Sequence, residues 1–304
     1  MDIDKFKIFC NDLSEHALPF IVMGIVAFGS RAKEDYRQDS DTDLLVVASG
    51  IAAKRQRRGR EIAILKKLLP SMSLDILLLT KKETISNFRN HNPLFLDIAT
   101  EGIIILDSDG FLANIIEETQ NYLKNSEIQK IKDGWAFPAK AGMPMFLSKV
   151  SNEDFSKAML KDGARDLEIS KKLRDEAYFD KAVYHSQQAV EKFIKAILIA
   201  MGVFKKTHFI GEELIALIDK GEVPSQWKEQ LLEAAQLSEE IEPHVSLSRY
   251  PGISNDALWL PYEEYEEIDA ANALKKAEQV QLTTNNFIGE WFGYKGKKPP
   301  IDKE

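Results

Sequence analysis

Residues 28–47, "FGSRAKEDYRQDSDTDLLVV", decide how the first half of the chain is read. Gly29-Ser30 stands ten residues ahead of Asp41-Thr42-Asp43, which runs straight into Leu-Leu-Val-Val. Asp and Ser gather in turns for purely local reasons, so the stretch is either a solvated turn before a strand or a site for metal and phosphate. A strand ending at Phe28, then Gly29-Ser30 and a helix start, would present free backbone N–H groups and a hydroxyl. That arrangement cradles phosphate, and the glycine lets the backbone come close. Asp41 and Asp43, two apart at the head of a strand, point to one face. Two carboxylates on one face suit a hard cation such as Mg²⁺. Asp75 lies inside the apolar run "SLDILLL". A carboxylate among apolar residues needs a partner, and a cation shared with Asp41 and Asp43 would supply it.

Working outward, apolar and β-branched runs predict strands over 20–28, 42–49 and 73–80, with a fourth within 102–110. Between the second and third, Ile62, Leu65 and Leu69 have the spacing of a helix facing a sheet, and Pro70 closes it. Gly134, Pro138, Gly142 and Pro144 mark an irregular arm. The texture then turns helical. Ser151 or Asn152 is a suitable N-cap, and 179–202 is the strongest helix, with Val190, Ile194, Ile197 and Met201 on one face and Gly202 at its end. Further helices are predicted over 211–220, 224–241 and 261–290. The last would begin at Pro261, with Glu263, Glu264, Glu266 and Glu267 suiting its dipole. The fold class is α+β: a mixed-sheet domain over 1–128, an arm over 129–152, an all-α bundle over 153–290 and a tail over 291–304.

The bulk numbers agree with this division. A chain of 304 residues, 44% hydrophobic and 29% charged, suits two soluble globular domains. No apolar run reaches the roughly 18 residues a bilayer span needs, the charged N-terminus lacks a signal-peptide pattern, and Cys10 is the single cysteine. A cytoplasmic protein without a cysteine-rich zinc site is expected. The formal charge of −8 argues against nucleic-acid binding by the whole surface. It leaves room for a local patch, and "KRQRRGR" at 54–60 packs five cations into seven residues. That run is either a solvated face or a lip attracting triphosphate or RNA.

The combination "GSRA…DSDTDLLVV" with "LDILLL" resembles the minimal nucleotidyltransferases of the polymerase-beta-like superfamily, over about residues 18–110. The resemblance implies that Gly29, Ser30 and Arg31 contact the triphosphate. It implies that Asp41, Asp43 and Asp75 bind two Mg²⁺ ions, Asp75 also helping to deprotonate the acceptor. The product would be an NMP, AMP from ATP in the first instance, joined to a hydroxyl of a protein, an RNA end or a small molecule.

"FDKAVYHSQQAVEKFIKAIL", "THFIGEEL" and "SRYPG" resemble the HEPN domain, over about 155–288. The resemblance implies a homodimer through the helical domain and protein AMPylation in a toxin–antitoxin or defence setting; no membrane partner is expected from the lack of a spanning apolar run. The alternatives are a HEPN-type ribonuclease regulated by the first domain and an aminoglycoside-type transferase. Many HEPN ribonucleases carry an Arg followed four to six residues later by a His. Here His244 precedes Arg249 instead, which speaks against that activity. His185, Gln188, Lys192 and Lys195 form a polar stripe on the central helix, either a solvated or internally satisfied face or a wall orienting nucleotide.

Overall fold

The computed structural model describes residues 17–29, 41–68, 73–254 and 256–293. The chain divides into two compact units, Met1–Glu127 with Leu147–Lys149, and Ile128–Phe146 with Val150–Glu304.

In the first unit, β1 (Ile21–Phe28), β2 (Thr42–Ser49), β3 (Leu74–Leu79) and β4 (Ile103–Asp107) form one mixed sheet in the order β3-β2-β1-β4. β1 runs antiparallel to β2 and β4, while β2 and β3 are parallel. Helix α1 (Gly59–Lys67) is the crossover between the parallel pair, and α2 (Lys81–Arg89), α3 (Pro93–Glu101) and α4 (Phe111–Lys124) supply the rest of the helical layers. Strand alternation sorts the side chains. Leu44, Val46 and Ala48 of β2 join Leu65 of α1 in one core, and Leu45 and Val47 join Phe88, Phe95, Ile98 and Leu112 in the other. The sheet is therefore sandwiched between α1 and the trio α2–α4. Helix α2 starts at a reciprocal cap between Thr80 and Glu83, and α3 at Asn92 with Pro93 in its first position.

In the second unit, α5 (Asn152–Asp175), α6 (Phe179–Ala200), α7 (Gly211–Asp219), α8 (Lys228–Ile241), the single turn α9 (His244–Leu247), the short α10 (Pro261–Glu264) and α11 (Glu267–Trp291) build a bundle. Helix α6 is its axis: Val190, Phe193, Ile194 and Ile197 are fully buried. Ser151 caps α5 in a reciprocal box with Asp154.

Several features differ from the sequence reading. The stretch 129–152 contains β5 (Gln129–Ile131) and β6 (Gly134–Ala136), and these pair with β7 (Val203–Lys205) just after α6 in one three-stranded sheet. The final helix starts at Glu267, because Tyr265 and Glu266 are extended. Glu266 and Asp269 then cap α11 reciprocally, leaving Pro261 to open only a short turn. A further hairpin, β8 (Gly252–Ser254) with β9 (Ala257–Trp259), falls where the sequence predicts no element. Among the described residues no helix is long and apolar enough to cross a membrane.

Candidate active site

The carboxylates are placed by register. Phe28 of β1 stands opposite Asp43 of β2, and Asp43 opposite Asp75 of β3. Paired residues on neighbouring strands, about 5 Å apart, send their side chains to the same face. Asp43 is in step with Leu45 and Val47, and Asp75 with Leu77 and Leu79, so both belong to the face covered by α2–α4. They lie at the N-terminal ends of their strands, beyond the packed core, where Asp43 is half-buried and Asp75 exposed. Asp41, immediately before β2, is exposed.

Gly29 completes this rim. Its φ of +80° is in the left-handed region, and a Cβ there would lie 2.0 Å from Oδ2 of Asp43 and 2.9 Å from Cγ. The Asp43 carboxylate thus occupies the space that any side chain at position 29 would need. Only glycine meets both demands, a left-handed backbone and no bulk. Gly29→Ala is expected to displace the carboxylate, cost roughly 1–3 kcal/mol of stability and depress nucleotidyl transfer by about tenfold or more. Urea unfolding and a label-transfer rate check the two effects separately.

Ser30 and Arg31 lie outside the described residues. The donor set that is described fits a hard divalent cation: carboxylate oxygens, two of them in register, beside a backbone held open by glycine. Among the described residues no three His, Cys, Asp or Glu side chains already converge on one point. The aspartates share a rim without closing around a centre.

The basic run is elsewhere. β2 carries the chain from Asp43 to Ser49, about 20 Å at 3.3 Å per residue, before residues 54–60 begin. Arg58 is buried, at 1% exposure, and its guanidinium donates to the carbonyls of Ala52 (2.7 Å), Ala53 (3.1 Å) and Leu78 (2.9 Å) and to both oxygens of Glu83 (2.9 and 3.2 Å). Burial alone would raise the Glu83 pKa. The bonds from Arg58, Thr80 and Arg55 outweigh it and hold the group at about 2. These contacts gather near the C-terminal ends of β2 and β3, so the run is no lip of the carboxylate rim. Sequence reasoning counted Arg58 among surface cations. The spacing Thr80-x-x-Glu83, a capping signature, was the available sign that Glu83 holds a structural post.

The polar stripe of the second unit is engaged within the bundle. His185 Nδ1 lies 2.9 Å from Asp166 Oδ1, and Lys192 pairs with Asp162 and Asp166. Lys195 and His208 both reach Glu191 Oε1, at 2.8 and 2.9 Å, and Gln188 donates to Gln187. Burial pushes the Asp166 carboxyl upward, but the bonds from His185 and Lys192 prevail and lower it. His244 Nδ1 is 2.6 Å from the Tyr265 hydroxyl. Burial, then the nearby Lys276, lowers His244, while burial and the charges of Asp269 and Asp180 raise Tyr265 to about 12. Arg249 instead lies over the rings of Tyr184 and Tyr250. His244 and Arg249 therefore serve different neighbourhoods. Tyr184, edge-on to the His185 ring at 5.2 Å, links Arg249 to the stripe. Lys192→Ala is expected to cost about 1–3 kcal/mol, by leaving the nearly buried Asp166 with His185 alone of these two partners, and to leave label transfer within about twofold. Thermal melting and the transfer rate test both statements.

Comparison with known proteins agrees with this division. The nucleotidyltransferase domain family matches residues 3–106 and the HEPN domain family residues 156–286. MJ1304, a toxin candidate of Methanocaldococcus jannaschii, is 36% identical over 144 residues, 47% of this chain and 95% of its own length. The chain belongs to the HEPN family and carries a nucleotidyltransferase domain fused ahead of it. The carboxylate rim lies in the nucleotidyltransferase domain, and the His185–Asp166–Lys192 network in the HEPN domain. Two solved structures are also similar. ST0689, an archaeal HEPN homologue, is 25% identical, covering 44% of this chain and 97% of its own, with a TM-score of 0.34. A nucleotidyltransferase-like protein from Exiguobacterium sibiricum is 14% identical, covering 97% of this chain and 81% of its own, with a TM-score of 0.41. By its domain at residues 3–106 the protein is a nucleotidyltransferase.

Proposed function

We propose that the nucleotidyltransferase domain moves an NMP, AMP from ATP in the first instance, onto an acceptor hydroxyl at the rim formed by Gly29, Asp43 and Asp75. The observation that carries this reading is the fit of the Asp43 carboxylate against Gly29, in register with Asp75. Asp41, Asp43 and Asp75 would hold Mg²⁺, which when bound neutralises phosphate charge and favours the attacking oxygen. The chain's own groups bind and orient. Gly29, Ser30 and Arg31 would contact the triphosphate, and Asp75 takes the proton from the acceptor hydroxyl. The new bond joins the acceptor oxygen to the α-phosphorus, the bond to the β-phosphate bridge breaks, and pyrophosphate leaves with its electron pair. The toxin designation of MJ1304 supports a toxin or antitoxin setting, with a protein as the first acceptor to try. Purified protein incubated with Mg²⁺ and each α-labelled NTP, with lysate, with RNA and alone, tests the reading. Label should move to an acceptor, and Asp41→Asn and Asp43→Asn should stop it. Transfer that survives both substitutions would refute it.

A further inference from the structure

The cations of residues 54–67 are held on a built platform. The carbonyls of Ala52 and Ala53 are fixed by the buried Arg58 guanidinium, and the Ala52 N–H donates to Glu61 Oε1 at 2.9 Å. Glu61 and Glu83, both half-buried, are bonded to the segment's own frame. Glu61 accepts from Ala52, and Glu83 accepts from Arg58, Arg55 and Thr80. With its acids bonded to its own frame, the charge that the segment presents to solvent is mainly positive. A short 3-10 turn, Arg55–Arg57, leads directly into α1. Lys54, Arg55, Arg57, Arg60, Lys66 and Lys67 are all exposed. Arg60, Ala63 and Lys67 fall at i, i+3 and i+7 on the outer face of α1, while Leu65 turns into the core.

We propose that this face binds the phosphodiester backbone of RNA. Three properties select that partner. The leading residues of the face follow the far end of β2, about 20 Å along the strand from Asp43, and α1 packs on the sheet face opposite the one that carries Asp43 and Asp75. The basic face is therefore separate from the phosphates of a nucleotide held at the rim and suits a polymer. Three of its six cations are arginines, whose planar donors match phosphate oxygens in pairs. Among the described residues of 50–68 there is no exposed large apolar side chain of the sort an interface with a protein places at its centre. The cations stand out against a chain whose net charge is −8, so they are a local feature rather than a consequence of composition. From Gly59 to Lys67 the helix runs about 12 Å. With the turn ahead of it, that length is enough to meet more than one phosphate along a strand.

The inference does not depend on which hydroxyl the enzyme modifies, and its test is a binding measurement. The full chain is titrated against a short fluorescein-labelled single-stranded RNA, followed by anisotropy, at salt concentrations between about 50 and 200 mM. Wild type should bind with a steep salt dependence. Arg57→Ala/Arg60→Ala/Lys67→Ala, which spares Arg55 and Arg58 on Glu83, should bind at least about tenfold more weakly at low salt, with a log–log slope smaller by about 2. A matched loss of charge on α5, Lys161→Ala/Lys171→Ala/Lys172→Ala, should stay within about twofold. Asp43→Asn should bind RNA as wild type does, which separates this surface from the rim. Absence of RNA binding, equal binding by the first triple variant, or equal loss in the α5 control would overturn the proposal. So would a preference for polyglutamate over RNA, which would point to an acidic protein partner.

Discussion

Asp43→Asn is expected to lower nucleotidyl transfer by roughly a thousandfold while leaving the melting temperature nearly unchanged. The substitution keeps the shape of the side chain and removes its charge. Asp43 is half-buried at a strand end and its position is fixed twice, by register against Phe28 and Asp75 and by contact with the Gly29 backbone. An amide retains one acceptor oxygen yet binds a hard cation poorly, and metal ions supply several kcal/mol of charge stabilisation in phosphoryl chemistry. At about 1.4 kcal/mol per tenfold, the loss of about 4 kcal/mol gives the stated factor. Transfer rates at saturating nucleotide, compared with melting curves of the same preparations, check it. Asp75→Asn should also impair the rate, with an altered pH profile if Asp75 receives the acceptor proton.

The largest expected effect on stability is that of Arg58→Met. The buried guanidinium serves three carbonyls and both oxygens of Glu83. Removing it leaves Glu83, 25% exposed, with only Thr80 and Arg55 of its described partners and leaves the carbonyls of Ala52, Ala53 and Leu78 without the guanidinium. Breaking such a pair from one side costs about 3–5 kcal/mol, a large share of a domain's usual margin of about 5–15 kcal/mol. The double variant Arg58→Met/Glu83→Gln should recover part of the loss, since the remaining amide needs no counter-charge. Acid gives an independent readout. The folded pKa of Glu83, about 2, lies below its ordinary value of 4.5. Its contribution is therefore present above about 4.5 and is lost as pH falls toward 2. Urea unfolding of the wild type should weaken across that window, and the Arg58→Met/Glu83→Gln chain should lack this part of the slope.

The strands of the sheet were legible because buried β-strands announce themselves as short apolar, β-branched runs, and β2 came out at its full length, Thr42–Ser49. Helix α6 was legible because a central helix must be apolar on most of its faces. Helices α2 and α3 were missed: "KKETISNFR" covers only part of the sheet and lacks a continuous stripe. Their caps at Thr80–Glu83 and Asn92-Pro93 were the better signal. The strands β5 and β6, three residues each, are too short to show a period and exist because β7 offers an edge. Pro261 carried the expectation of a long helix, but the extended pair Tyr265–Glu266 interrupts it, and the true start rests on the Glu266–Asp269 box.

At the site, residue types and order were readable, whereas contacts were not. Nothing in the spacing of Asp43 and Asp75 says that two parallel strands pair them directly. Nothing in "GSRA" says that the Asp43 carboxylate sits on Gly29. The basic run misled in the opposite sense: near the aspartates in sequence, it lies beyond the far end of the strand that follows them. Its single buried member, Arg58, is the residue that turns the others outward.

The central claim, nucleotidyl transfer at the Gly29–Asp43–Asp75 rim, is tested most directly by supplying ATP labelled at the α-phosphate and, in parallel, at the γ-phosphate. The account predicts that only the α label becomes attached to the acceptor, in equal amount to the pyrophosphate released, and that Asp43→Asn abolishes both. Attachment of the γ label, release of orthophosphate in place of pyrophosphate, or α transfer undiminished in Asp43→Asn would contradict it.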